Sequence, residues 1–446
     1  FLARILIFLF IAIALAAAGW GTIVYVNKKE DKKPPISADS GSTAGKSKLN
    51  EKRLKDLANK RAASANFSTF DPENSYEDGE VVVVDPPKDF ASLAQGLGFT
   101  VIESVSLGDL GITVVRLQVP SGQTVRSARR TLLGRFPGLI VDANHQFDPS
   151  QSRRRRGPDT GSAADQLRKR RTSSSDSRAR AAIGWKNIPL TCGRGVRLGM
   201  IDSGVDLKHP ALIGQNIEFR SFHNRNRKQG PSSHGTAVAA ILVGKPGVKG
   251  WGGLLPGAEL KAANMFEFNK IGKKVGNVIA LLKGLNWMAK QKVHVVNLSI
   301  AGTNNRAVNK AFKAARKKGL VMVAAVGNWG RADKPAYPAA YSQVLAVTAV
   351  GPYRGIYKKA NKGNYIEFAA PGVRLWTAVP GGGKYQSGTS FATPYVTALL
   401  GLEIAKGASK NPAELRNILR GSVADLGKPG KDNVFGWGFV EKQPNC

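Results

Sequence analysis

The chain has 446 residues, of which 42% are hydrophobic and 22% are charged, and this composition excludes a wholly disordered protein. Its two cysteines exclude a disulfide-rich scaffold and a multi-cysteine zinc protein. Lys and Arg total 66 against 31 Asp and Glu, a net charge of +35, which indicates an anionic partner or acidic substrates but carries no information about the fold.

The first segment of the chain is apolar. Residues 5–26 contain no charged side chain, and a helix of this length spans the hydrocarbon core of a bilayer. We therefore expect residues 1–27 to be a transmembrane anchor or a signal peptide. Either would export the chain, to face the periplasm or the cell exterior or to be secreted. Residues 28–78 are polar and rich in Lys, Ser and Asn, which predicts a linker.

A small folded module is expected at residues 79–148. Alternating or continuous apolar patterns predict strands, and helical spacing predicts two helices between them. The strands are expected at residues 81–84, 99–107, 112–119 and 139–141, and the helices at residues 89–97 and 125–133. The order β-α-β-β-α-β is typical of a ferredoxin-like α+β unit.

Residues 149–180 have a different composition. They are rich in Arg, Ser, Gly and Asp and contain almost no apolar side chain. Such a segment cannot bury a core, so we expect a basic disordered linker that is open to proteolysis and contains the processing site.

Residues 181–446 alternate strand-like and helix-like segments. The strands are expected at residues 197–201, 260–264, 293–298, 321–325 and 344–350, and the helices at residues 235–242, 275–290, 307–318 and 390–405. Apolar strands between amphipathic helices indicate an α/β fold with a parallel sheet and helices on both faces. In such folds the functional groups cluster at the carboxyl ends of the strands.

The basic excess lies mainly in this last part of the chain. Residues 181–446 contain 38 Lys and Arg against 12 Asp and Glu, whereas residues 151–180 contain 10 against 3. The charge therefore favours attraction of the folded part to an anionic surface or to acidic substrates.

Three polar residues stand where the predicted elements begin or end. Asp202 follows a strand, His234 opens a helix in the sequence SHGTAVA, and Ser390 opens another in SGTSFATP. A serine hydroxyl is a weak nucleophile until a base takes its proton, and an imidazole acting as that base needs a carboxylate to orient it. Asn328 ends the strand-like sequence AAVGN, where an amide can donate to an oxyanion.

These motifs resemble those of the subtilisin-like serine proteases, in the family order of Asp, then His, then Ser. The resemblance covers essentially all of residues 181–446. It implies that Asp202 orients, His234 is the general base, Ser390 is the nucleophile and Asn328 is the oxyanion donor. Among residues expected to bind substrate backbone, the resemblance implies Gly276, Ser299, Ile300, Ala301, Gly302 and Gly327.

The resemblance also implies a three-layer subtilisin-like fold and an inhibitory propeptide. By position and element order, residues 79–148 resemble the propeptide that fills the cleft before self-cleavage. Protein or peptide substrates are then expected, and no cofactor. Ala211 stands near a calcium-binding Asp of many members, and residues 243–253 contain no carboxylate, so no metal is expected either.

Some alternatives stay open at the level of sequence. A protein with this fold could bind peptides without cleaving them, although no residue of the expected triad is replaced. The charge could serve nucleic-acid binding, but no aromatic platform or reader module accompanies the arginine runs, so no specific nucleic acid is expected. Cys192 and Cys446 flank the C-terminal part and either pair in an oxidising compartment or remain thiols.

Overall fold

The computed structural model describes residues 75–148, 179, 185, 188–247, 250–269, 271–442 and 446. The predicted anchor or signal peptide at residues 1–27, nearly all of the predicted linker at residues 28–78 and most of residues 149–180 lie outside these ranges. Within the described ranges, no helix combines the length and the apolar character needed to cross a bilayer. The described residues belong to one compact unit, Phe70–Cys446.

The first six elements, which we call the N-terminal module, occupy residues 76–147. In chain order they are β1 (Tyr76–Val84), α1 (Phe90–Gly96), β2 (Thr100–Leu107), β3 (Ile112–Gln118), α2 (Val125–Arg135) and β4 (Ile140–Phe147). The strands form an antiparallel sheet in the order β2-β3-β1-β4. This is the element order that the sequence predicts.

Two strand bounds in the module differ from the prediction. β1 begins at Tyr76, inside the segment predicted as a linker, because Tyr76 pairs with His145 of β4. The next residue, Glu77, is buried and forms an ion pair with Arg227. β4 extends from Ile140 to Phe147, well beyond the predicted strand, because its end pairs with a strand much later in the chain.

The C-terminal part contains a nine-stranded sheet in the order β16-β17-β13-β12-β11-β10-β5-β7-β6. Its strands run parallel except for the β16–β17 pair. The strands after the module are β5 (Arg197–Asp202), β6 (Ile217–Ser221), β7 (Glu259–Asn264), β8 (Phe266–Phe268), β9 (Lys274–Asn277), β10 (Val295–Leu298), β11 (Val321–Ala325), β12 (Val344–Val350), β13 (Phe368–Pro371), β14 (Leu375–Val379), β15 (Gly382–Gln386), β16 (Val423–Ala424) and β17 (Phe439–Val440).

Helices cover both faces of this sheet, as the sequence predicts. They are α3 (Ser233–Val243), α4 (Val278–Lys290), α5 (Arg306–Lys317), α6 (Thr389–Ala405) and α7 (Pro412–Arg420). In β11 the side chains alternate between two cores: Val321 and Val323 pack with α3 and α6, whereas Met322 and Ala324 pack with α4 and α5. Burial on both faces explains why these strands read as continuous apolar runs.

The helix predicted at residues 275–290 is wrong in its first turn. Residues up to Asn277 belong to β9, and the helix begins at Val278 because the Asn277 side chain accepts the N–H of Ala280 and caps it. Short strands such as β6, β8 and β9 were not predicted, since they lack the continuous apolar run by which strands as short as β11 are recognised.

A disulfide joins Cys192 and Cys446, whose Cα atoms lie 5.1 Å apart. The sequence leaves open whether the two cysteines pair or remain thiols, because pairing depends on the distance between two residues that are 254 positions apart in the chain. In the structure they pair.

Candidate active site

Asp202 and His234 meet at the carboxyl edge of the parallel sheet. Asp202 ends β5 and His234 lies in the first turn of α3. His234 Nδ1 and Asp202 Oδ1 are 2.6 Å apart, and the two residues are 1% and 0% exposed. The start of α3 can approach the end of β5 this closely because residue 235 is glycine: a Cβ there would lie 2.4 Å from the Ser203 carbonyl oxygen. The buried carboxylate thus fixes the orientation of the imidazole.

The other ring nitrogen of His234 is Nε2. Nε2 is buried and makes no hydrogen bond among the described residues. The His234 ring lies against Phe391, with ring centroids 5.2 Å apart, and Phe391 follows Ser390 directly. The structure therefore brings the start of α6 beside the His234 imidazole.

Ser390 is the second residue of α6 and is itself buried. Its carbonyl oxygen accepts a 2.7 Å hydrogen bond from the Ser299 hydroxyl. The Ser299 hydroxyl in turn accepts from Asn297 Nδ2 at 2.9 Å, and Asn297 Oδ1 accepts from the Thr397 hydroxyl at 3.1 Å. A buried chain of hydrogen bonds therefore ties the end of β10 to α6 at two places, Ser390 and Thr397.

Asn328 lies beside the first residue of α6. Its Oδ1 accepts hydrogen bonds from the Thr389 N–H and hydroxyl, at 3.0 and 3.1 Å. These two contacts hold the amide oxygen of Asn328 at the start of α6. Gly327, which precedes it, has a φ of +90°, a conformation that glycine adopts without steric cost.

Two strands predicted to bind substrate backbone flank the end of the N-terminal module. Phe147 of β4 pairs with Gly276 of β9 in an antiparallel ladder. The next residue, Asp148, pairs with Ala301: each donates its N–H to the other's carbonyl oxygen, at 3.0 and 3.2 Å. The module's last described residues thus lie between the strand of Gly276 and that of Ala301.

The neighbours of Ala301 make different contacts. Ile300 is buried in the core that contains α4 and α5. Gly302 pairs with Tyr337 through two backbone hydrogen bonds of 2.8 and 3.0 Å. A Cβ on Gly302 would lie 2.6 Å from the Phe147 ring, so the Phe147 side chain packs directly on this glycine.

Some residues that support the site were not found by sequence reasoning. Three of them act through hydrogen bonds. Thr389 donates to Asn328, Thr397 donates to Asn297, and Asn361 accepts from the turn after β11. A Thr within an apolar helix was a usable signal for Thr397, but Asn361 lies in a polar segment where nothing distinguishes it. Among the described residues, no group of three or more His, Cys, Asp or Glu is arranged to hold a metal.

Comparison with known proteins identifies the family of the chain. Residues 193–438, just over half of the chain, match the model of the subtilase family. The chain belongs to the subtilase family. A subtilisin from Bacillus pumilus is 30% identical over 257 residues, which cover 56% of this chain and 90% of that protein. The minor extracellular protease Epr of Bacillus subtilis is 31% identical over 265 residues.

For other relatives, the match covers a smaller share of the relative's own length. The chain spans 39% of the length of Epr and 65% of that of subtilisin E. Among solved structures, fervidolysin from Fervidobacterium pennivorans, a keratinolytic enzyme related to subtilisin, aligns with a TM-score of 0.64. That alignment covers 83% of this chain and 61% of fervidolysin at 21% identity, which supports the subtilisin-like fold alone.

Proposed function

We propose that this subtilase is a serine endopeptidase in which Asp202, His234 and Ser390 form the catalytic triad. His234 Nε2 takes the proton of the Ser390 hydroxyl as its oxygen attacks the substrate carbonyl. Asp202 holds His234 and stabilises the imidazolium, which then protonates the leaving amine before water hydrolyses the acyl-enzyme. The observation that carries the proposal is the buried 2.6 Å contact between Asp202 and His234.

The tetrahedral intermediate needs donors for its oxyanion, and we assign these to the Asn328 amide and the Ser390 backbone N–H. Ser390 lies at the start of α6, where unsatisfied N–H groups and the helix dipole favour negative charge. One such side-chain donor contributes about 10²–10³ in rate, a value that comes from a subtilisin and not from this chain. These steps need no cofactor.

We propose that an extended peptide binds between the strand of Gly276 and residues 299–302, with Gly327 beside the oxyanion donor. The pairing of Phe147 with Gly276 and of Asp148 with Ala301 supports this proposal, because both strands offer backbone groups to an extended segment.

The same pairing supports a second proposal, that the N-terminal module is an intramolecular inhibitor. A chain segment that occupies both cleft strands excludes substrate from them. Side chains of β4 also meet the first turns of two helices: Asn144 accepts the N–H of Val278 at 3.1 Å, and Asp142 accepts that of Arg306 at 2.8 Å. Unsatisfied N–H groups at helix starts favour such acceptors.

An ion-pair network further supports the docking of this inhibitor. Arg227 lies 2.7 Å from carboxylate oxygens of both Glu77, in the module, and Glu267, in β8. Hydrogen bonding to Glu77 raises the pKa of Arg227, so the guanidinium stays charged. Removing either carboxylate would leave a partly buried charge with fewer partners, which is costly.

We propose that self-cleavage occurs within residues 149–182, close to the end of β4. Asp148 pairs antiparallel with Ala301, which lies two residues after Ser299, and the Ser299 hydroxyl donates to the Ser390 carbonyl oxygen. We therefore expect the cut close to Asp148, before the arginine runs at residues 153–156 and 168–171.

Expression of the wild-type chain and of Ser390→Ala tests the function. We expect the wild type to shorten itself and to react with a fluorophosphonate probe, and Ser390→Ala to stay full length and unlabelled. Sequencing of the new N-terminus is expected to place the cut nearer to residue 149 than to residue 182. A wild type that stays full length and unlabelled would falsify the protease proposal, whereas salt-sensitive duplex binding that ignores Ser390 would favour nucleic-acid binding.

We also propose export, with residues 1–27 as a cleaved signal peptide or as an anchor. The disulfide between Cys192 and Cys446 supports an oxidising compartment. An anionic envelope surface is the proposed partner of the basic C-terminal part. Fractionation of cells into soluble, membrane and medium fractions tests the export and the association with the envelope. Recovery in the cytoplasm would contradict export.

A further inference from the structure

Asn361 is a buried amide beneath the turn that follows β11. In the chain it lies in the segment that connects β12 to β13, and it is 0% exposed. Its side-chain Oδ1 accepts hydrogen bonds from the backbone N–H groups of Trp329, at 3.0 Å, and Arg331, at 3.2 Å. One side-chain oxygen thus satisfies two backbone donors of a turn that has no ladder of its own.

The backbone of Asn361 holds the other side of Asn328. Its N–H donates to the Gly327 carbonyl oxygen at 3.1 Å. A Cβ on Gly327 would lie 2.7 Å from Asn361 Nδ2, so the amide packs directly against this glycine. Asn361 therefore bonds the residue before Asn328 and the residue after it.

Neighbours of Asn361 extend the same contact. Gly330 donates its N–H to the Lys359 carbonyl oxygen at 2.8 Å, and Lys362 donates to that of Arg331 at 2.8 Å. Residues 359–362 therefore lie alongside the turn and are hydrogen-bonded to it at several positions. Because loop backbone keeps one conformation only where its polar groups find partners, loss of Asn361 Oδ1 would release the turn at its centre.

We infer that Asn361 is a positioning residue for the oxyanion donor. By accepting the N–H groups of Trp329 and Arg331, it holds Asn328 where the amide meets the developing negative charge. The inference rests on the proposed function, since Asn361 acts through Asn328 and does not reach the reacting atoms itself. A donor that is preorganised needs no rearrangement in the transition state, and a displacement of about 1 Å costs about 10²-fold in rate.

The test compares Asn361→Ala, Asn361→Asp and Gln343→Ala in the processed enzyme on a peptide amide substrate. Gln343 is the matched control: it is a buried amide (8% exposed) that donates to Asn309 and precedes β12, at the opposite edge of the sheet. We expect Asn361→Ala to lower kcat by about 10- to 10²-fold while KM changes by less than about twofold. Asn361→Asp keeps the acceptor oxygen and is expected to retain most of the activity, and Gln343→Ala all of it.

A double-mutant cycle with Asn328→Ala separates positioning from general destabilisation. If Asn361 acts through Asn328, Asn361→Ala lowers kcat by less than about twofold further once Asn328 is absent. Losses that multiply in full, or an Asn361→Ala enzyme with wild-type kcat, overturn the inference. Where Asn361→Ala does not fold, Asn361→Ser, whose hydroxyl is too short to reach both N–H groups, replaces it. A wild type that neither hydrolyses peptides nor reacts with the fluorophosphonate is a different result, the failure of the proposed function itself.

Discussion

Buried hydroxyl groups in this protein differ in whether they have a partner. Thr397 and Thr348 are both 0% exposed. The Thr397 hydroxyl donates to Asn297, which supports Ser299 and through it the Ser390 carbonyl. The Thr348 hydroxyl, in β12, has no partner within the described part of the chain. The two threonines are therefore a matched pair for measuring what the hydrogen-bond network beneath Ser390 contributes.

We predict opposite results for the two Val substitutions. Thr397→Val leaves the Asn297 oxygen buried without its donor, so the free energy of unfolding should fall by about 1–3 kcal/mol. Thr348→Val removes a hydroxyl that is already unsatisfied and should leave the stability unchanged or raise it. Denaturant unfolding of both variants in the uncut Ser390→Ala chain checks this. Equal losses would mean that the hydrogen bond to Asn297 contributes nothing specific.

At the scale of single elements, β4 is the strand that connects the module to the rest of the structure. His145, in β4, is buried, and its Nδ1 accepts a 2.9 Å hydrogen bond from the Asn305 amide, which caps α5. Burial lowers the pKa of His145, Arg129 lowers it further and Asp142 opposes both. The Tyr76 ring lies nearly perpendicular to it, with ring centroids 6.2 Å apart. The imidazole is thus held neutral, as an acceptor.

This predicts that the docked module loses stability in mild acid. Because the pKa of His145 is lower in the folded state, the unfolded state binds more protons below about pH 6.5. The stability contributed by neutral His145 is fully present above that pH. It is lost as the pH falls toward the lowered pKa of His145 in the folded state. Unfolding of the Ser390→Ala chain between pH 8 and 5 measures it. His145→Gln should reduce the slope by at most about 1.4 kcal/mol per pH unit, and an unchanged slope would assign the effect elsewhere.

Element prediction succeeded where the signal was local. The strands at residues 321–325 and 344–350 have the predicted bounds, because a continuous apolar run buried on both faces is readable in sequence. It failed at the end of β4 and at β9, which pair with each other across more than a hundred residues. No local pattern records such a partner.

At the scale of the whole molecule, the charge is the dominant property. Residues 181–446 carry 38 basic and 12 acidic side chains. Several of the acids are already engaged in ion pairs: Lys261 lies close to both Glu218 and Glu259, and Arg416 pairs with Glu367. Most of the positive charge therefore remains available to attract anions from solution.

We predict that acidic residues flanking the scissile bond are tolerated or favoured. At low salt, peptides with flanking Asp should be cleaved faster than matched peptides with Asn or Lys, because the enzyme's positive field raises their rate of association. The difference should shrink as salt screens it. Profiling of the processed enzyme on a peptide library, at two ionic strengths, measures this. An equal or greater rate on basic peptides at low salt would count against the prediction.

The sequence by itself determined the family and the parallel sheet. It also indicated Asp202, His234, Ser390 and Asn328 as catalytic groups, because short motifs at element ends are local and keep a family order. The tertiary structure decided which residues support those groups. The contact of Ser299 with Ser390, the pairing of Asp148 with Ala301 and the disulfide each join residues far apart in sequence. Their proximity follows from the packing of the whole chain and leaves no trace in the pattern around either partner.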